Sequence, residues 1–209
     1  MPPWPCEPLL PAGTGTHAVH YALNASATEL GLPLPAHQHH TANWSAPCFL
    51  MPLRDPAGRL ESGVRFELLH PTVSRPRLTR FHSAQALVDG LRRNDPAATR
   101  LLALSRNKTN PGNDGSFFLT NQSFYLARLP DAANVLFVCD TTLRRDLALV
   151  TRDPQWDAGA PASFRRSAVA STNATLRSTL RPADAQYMRR LFADDAAIVC
   201  RECGVACAP

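Results

Sequence analysis

Gly63-Val-Arg-Phe-Glu-Leu-Leu-His70 decides the fold class, because it is the last segment before the hydrophobic period changes. It reads as a strand, as does 43–53 before it, and Arg54-Asp-Pro-Ala-Gly58 between them reads as a turn. From Ser83 onward the spacing differs. Ala84, Leu87, Val88 and Leu91, then Leu101, Leu102 and Leu104, recur as on a helix. Asn94-Asp95-Pro96 interrupts it, with Asp95 placed to cap a second segment and Pro96 at that segment's first position.

Outward from there the order repeats. Upstream, residues 16–26 alternate in strand fashion, with Val19, Tyr21 and Leu23 on one face. Downstream, 116–129, 133–142 and 146–151 read as strands, the second rich in β-formers (Val135, Leu136, Phe137, Val138). Helical spacing returns from about Ser163 to Val199, kinked by Pro182. Two strands-then-helix halves, 16–106 and 107–199, with an extension 1–15 and a Cys-rich tail 200–209, predict one α+β domain over 1–209. In such a domain helices cover one face of an antiparallel sheet.

With 209 residues, 44% hydrophobic and 19% charged, the composition is globular rather than that of a disordered chain. No run of about 18 apolar residues occurs, so no membrane span is expected. Met1-Pro-Pro-Trp4-Pro-Cys6 does not read as a signal peptide. The net charge of +5 is spread along the chain without aromatic interleaving, so no nucleic-acid partner is expected. Lys108 is the one lysine among 22 basic residues, and with 19 prolines this looks like the coding bias of a GC-rich genome.

Asn24, Asn43, Asn107, Asn121 and Asn173 each open an Asn-x-Ser/Thr sequon. Given the Ser and Thr content, chance would supply about one, so these are candidate glycosylation sites of a secretory-pathway protein. Cys6, Cys48, Cys139, Cys200, Cys203 and Cys207 are an even set, which in such a chain implies disulfides, with 15 conceivable pairings. All six are expected to be oxidised, with at least one bridge from the 200–209 tail to Cys6, Cys48 or Cys139. Cys200-x2-Cys203-x3-Cys207 lacks the second knuckle a zinc site needs, and His37, His39 and His40 read as a solvated loop, so no metal is expected.

Several segments together resemble the peptide-binding platform of MHC class I molecules. Thr16-His-Ala-Val-His-Tyr21 resembles its opening strand, typically Ser-His-Ser-Leu-Arg-Tyr. Asn107 falls where class I heavy chains carry a glycan. Arg145-Asp146-Leu-Ala-Leu149 through Trp156 to Ala158 resembles the family's Lys-Asp-Tyr-Ile-Ala-Leu stretch, and Gln186-Tyr-Met-Arg-Arg-Leu-Phe192 its Glu-Trp-Leu-Arg-Arg-Tyr-Leu. The resemblance implies an antiparallel eight-stranded sheet under two long kinked helices, with Tyr21 and Tyr187 facing a groove. Together with the GC-rich coding bias it points to a viral class I homologue, of poxvirus or cytomegalovirus origin. Such a protein engages host immune receptors or antigen-presentation components for immune evasion, and the resemblance leaves binding of β2-microglobulin open. A cellular stress ligand of a natural-killer-cell receptor and a lipid carrier are the alternatives. The chain departs from the family where cysteines are expected near Tyr125 and Asp184, and where Ser105 and Leu191 replace peptide-holding tyrosines, so no conventional peptide presentation is expected.

No nucleophile elbow, phosphate-binding Gly-rich loop or His-Glu-x-x-His occurs. Asp194-Asp195 is a paired acid by sequence alone. Adjacent helical residues point about 100° apart, so a solvated face is expected there. Neither enzyme activity nor a cofactor is expected.

Overall fold

The computed structural model describes residues 6–8, 44–69, 80–105, 119–151 and 180–204. Strand β1 (Glu7–Pro8), β2 (Cys48–Leu53) and β3 (Asn134–Cys139) form one parallel sheet in the order β1-β2-β3. Register runs from Cys48 opposite Asn134 to Leu53 opposite Cys139. Cys48-Phe-Leu-Met-Pro-Leu53 is continuously apolar and nearly all buried, the pattern of a parallel strand covered on both faces. Pro52 has no N–H to give, and it lies beyond the two positions that pair with β1.

Parallel neighbours require a long crossover, and helices supply it here. They are α1 (Pro56–Leu69), α2 (Ala84–Arg92), α3 (Pro96–Ser105) and α4 (Gln122–Leu126). After β3 come a short 3-10 turn (Asp140–Thr142) and α5 (Leu143–Thr151); the chain closes with α6 (Pro182–Leu191) and α7 (Ala193–Cys203).

This overturns the expected α+β platform of eight antiparallel strands under two long helices. The segment 63–70 shows why. It is no strand; it continues α1, which starts at Pro56 with Asp55 before it. The Gly58 amide donates to Asp55 Oδ2 at 3.4 Å, and the Arg59 amide to the Asp55 carbonyl at 2.8 Å. Ala57, Leu60, Val64 and Glu67 are buried at helical spacing, so the period of 3.6 begins before Gly63. The expected turn at 54–58 is thus a helix start.

Two further predicted strands are helical. Within 116–129 the described part holds α4, and 146–151 lies in α5, where Leu147 is buried and Asp146 accepts from the Thr142 hydroxyl at 2.6 Å. The predicted kink at Pro182 is a helix start, with Pro182 at the first position of α6, and the chain breaks instead at Phe192. The tail expected from residue 200 begins inside α7, which ends at Gly204 with φ of 62°. The 83–106 region forms α2 and α3 as the spacing predicts. Asn94 turns at φ of 55°, and Asp95 Oδ1 accepts from the Ala97 and Ala98 amides at 2.8 and 3.3 Å. The strand expected at 16–26 and the helix expected at 163–179 lie outside the described residues.

Two apolar clusters hold these elements. One is helical, with Leu60 and Val64 of α1, Leu87 and Val88 of α2, Met188 of α6, and Phe192. The other lies on the sheet, where Phe49, Met51 and Leu53 meet Tyr125 of α4 and Val199 of α7.

Candidate functional site

In open parallel sheets ligands bind beyond the carboxyl ends of the strands. Here that position, just past Leu53 and Cys139, gathers Arg54, Asp55, Arg59, Gln122, Asp140 and Asp195. Gln122 is fully buried at the start of α4. Its side chain accepts from the Arg54 amide at 3.0 Å and donates to the Arg54 carbonyl at 2.9 Å, replacing a strand neighbour at the end of β2. Arg54 pairs with Asp140 across the two strand ends at 3.2 Å. Asp55 accepts from Arg189 of α6 at 2.7 Å.

Below these lies a buried ion pair. Asp195, on the first turn of α7, accepts from the Gln122 and Ser123 amides at 2.7 and 2.9 Å and so caps α4 from another helix. Arg59 of α1 reaches the same carboxylate at 3.4 Å. Both side chains are buried, and the Arg59 Nε and Nη1 have no hydrogen-bond partner. Burial pushes the Arg59 guanidinium down and Asp195 pulls it back up, and an arginine stays charged under both. Burial raises the Tyr125 hydroxyl far above its usual range. The Arg59 guanidinium also sits 5.9 Å from the Phe192 ring centroid. Phe192 belongs to the helical cluster and Tyr125 to the sheet cluster, so the pair is a polar seam between the two cores.

A second polar cluster joins α2 to α6. Asp184 is buried and accepts from Gln85 at 2.8 Å, Arg92 at 2.6 Å and Arg181 at 2.5 Å. Arg92 and its fellow donors hold the carboxyl down to about pKa 2 against the opposing effect of burial. Arg181 also bonds Asp89.

The candidate residues named from sequence fall as follows. Asp195 is not on a solvated face; it is buried, whereas Asp194 is exposed. The 100° between neighbours put one of the pair inward. Tyr187 does not face a groove. It is half-buried between α6 and α2, with the Arg92 guanidinium 5.8 Å from its ring centroid. Ser105 is buried and its hydroxyl donates to the Leu102 carbonyl at 2.7 Å. Asn121 lies half-buried at the N-terminus of α4, with Oδ1 enclosed and unbonded. Cys6 pairs with Cys48, Cys139 with Cys203 across β3 and α7, and Cys200 is disulfide-bonded as well. Among the described residues no group of His, Cys, Asp and Glu is placed to hold a metal. Tyr21, Asn24, Asn43, Asn107, Asn173, Cys207 and the histidines 37, 39 and 40 lie outside the described residues. Arg59 and Gln122 carried no local signal, because their partners lie 136 and 73 residues away in sequence, and of the partners of Asp184 only Arg181 is local, Gln85 being 99 residues away.

No family model, curated protein or solved structure matches this chain. Among the described residues no helix is long and apolar enough to cross a membrane, and the paired cysteines are compatible with a secreted or extracellular protein.

Proposed function

We propose that this chain is a disulfide-stapled glycoprotein of the secretory pathway that binds another protein and performs no catalysis. The strand edge of β3 carries the reading. Among the described residues β3 pairs with β2 alone and no strand takes its other edge, and Leu136 on β3 is 49% exposed. Leu149, on the helix that follows, is 72% exposed. Such an edge beside exposed leucines is a template for an added strand. The strand ends where a substrate would bind in an open sheet are instead occupied by a polar network whose members hold helices to one another. The sequons and bridged cysteines support residence in the endoplasmic reticulum, at the cell surface or in the medium.

The immune partners implied by the platform resemblance belonged to a groove between two helices. The described elements build a different architecture, so the proposal extends to a protein partner without naming its class. Mass spectrometry of proteins co-purified from expressing mammalian cells tests it, with Leu136→Lys/Leu149→Glu as the comparison. A stoichiometric partner lost from the folded variant is the expected result. An identical set of proteins on both overturns the reading.

A further inference from the structure

Arginines crowd the surface where α2 ends against the start of α6. Arg92 and Arg181 converge on Asp184, and Arg181 also on Asp89. Arg80 reaches Asp95 at 3.5 Å, and Arg93, which caps α2, acts on the same carboxylate. Arg190 lies one turn beyond Tyr187, the ring beneath Arg92.

The acids lie beneath the cations. Arg80, Arg92 and Arg181 are 66%, 49% and 60% exposed, whereas Asp95, Asp184 and Asp89 are 27%, 1% and 30% exposed. Arg92 spends only Nη1 on its carboxylate, and Arg181 spends Nε and Nη2. Among the described residues nothing accepts from Nε or Nη2 of the first or Nη1 of the second, which suits them to an acceptor in solvent. Arg93 and Arg190 are exposed, with no carboxylate within salt-bridge distance among the described residues. The buried Asp184 and the half-buried Asp89 and Asp95 thus fix the forks, and the outward face presents donors whose ordering cost is already met on folding.

We propose that this face of α2 and α6 binds a sulfated glycosaminoglycan. Guanidinium forks match tetrahedral oxyanions in bidentate fashion. The choice of polyanion rests on the secretory-pathway reading above. It also rests on the surface chemistry, since the ring that would stack a base, Tyr187, is covered by Arg92.

Heparin binding of the folded glycoprotein across a sodium chloride series tests this. Arg93→Ala/Arg190→Ala removes two cations that bond no carboxylate. Arg144→Ala/Arg201→Ala removes two exposed arginines elsewhere, on α5 and α7. The first pair is expected to lower the slope of log affinity against log salt by about two, one per lost contact, and the second to leave it unchanged. Equal losses from both pairs would show a net-charge effect and overturn the assignment. So would undiminished binding of desulfated heparin, or stronger competition by a single-stranded oligonucleotide of equal charge. Leu136→Lys/Leu149→Glu should bind heparin as the parent does, which separates this site from the β3 edge.

Discussion

Asp195→Ala should be the most damaging single substitution at the buried seam, and Arg59→Met a much milder one. Asp195 serves three donors: the Gln122 amide, the Ser123 amide and the Arg59 guanidinium. A hydrogen bond to a charged group contributes about 1.5–3 kcal/mol, and two amides lose theirs. Removal also leaves a buried cation without its counter-ion, a change that by itself costs about 3–5 kcal/mol in other proteins. These losses overlap, so we expect about 4 kcal/mol in total.

Arg59→Met is asymmetric. It removes a buried charge that already has two donors without partners, and it leaves Asp195 with both amides. Exchanging the desolvated guanidinium for a thioether of similar length should cost less than the ~3–5 kcal/mol of an uncompensated buried charge, because two amides still serve the Asp195 carboxylate. Arg59→Met on the Asp195→Ala background should then recover part of the loss, because no orphaned cation remains although the two amides still lack their acceptor. Urea unfolding followed by circular dichroism on the oxidised protein measures all four corners of the cycle. In a chain of this size, 4 kcal/mol corresponds to a fall of about 8–16 °C in Tm. Equal losses from the two single variants, or a double variant worse than Asp195→Ala, would refute the account of Arg59 as a cation held by that carboxylate.

Asp184 should make stability acid-sensitive over a definite window. Its carboxyl sits at about 2 in the folded chain, below the unfolded value of about 3.9, so its contribution is complete above pH 4 and lost as pH falls through 2. The half-exposed arginines limit that contribution to about 1–2 kcal/mol, and Asp184→Asn should flatten the acid limb of an unfolding titration. Breaking the Cys139–Cys203 bridge by Cys139→Ala/Cys203→Ala, a span of 64 residues, should lower unfolding free energy by about 4 kcal/mol in the chain-entropy model. Differential scanning calorimetry reads the loss directly. Gly90→Ala should destabilise although alanine favours helix, because the new Cβ would stand 3.1 Å from the Ala98 Cβ and 3.2 Å from the Phe81 ring. A rise in Tm for that variant would show that α2 and α3 pack less closely.

Local chemistry made some elements legible. Ser83, Asp95 and Pro96 act within their own turns, and a reader of the sequence finds α2 and α3 from them. The strands β2 and β3 are short apolar runs that announce themselves. Their direction does not show, because parallel and antiparallel pairing depend on the connection between them. The conformation of 63–70 decides that connection. Gly63-Val-Arg-Phe-Glu-Leu-Leu-His70 read alone suits a strand, and only Leu60 and Ala57, one and two turns before Val64, reveal the helical period. A strand there gives a hairpin with 43–53, whereas a helix there opens a crossover and makes β3 a parallel neighbour.

The same dependence on distant partners governs the sites. Each polar residue that matters at the seam is inconspicuous within its own segment. Arg59 stands among small and apolar residues of α1, where any helix tolerates a long basic side chain snorkelling outward. Asp195 occupies a first turn, where acids are common for reasons of helix polarity. What makes the two consequential is that α1, α4 and α7 converge past the ends of β2 and β3, and that convergence follows from the crossover. Once it is in place, Asp195 satisfies the backbone of one helix and the cation of another, and the position that an open parallel sheet offers to a ligand is occupied from within. The chemistry proposed for a partner then lies outside, at the edge of β3 that no described strand pairs with and on the arginine face of α2 and α6.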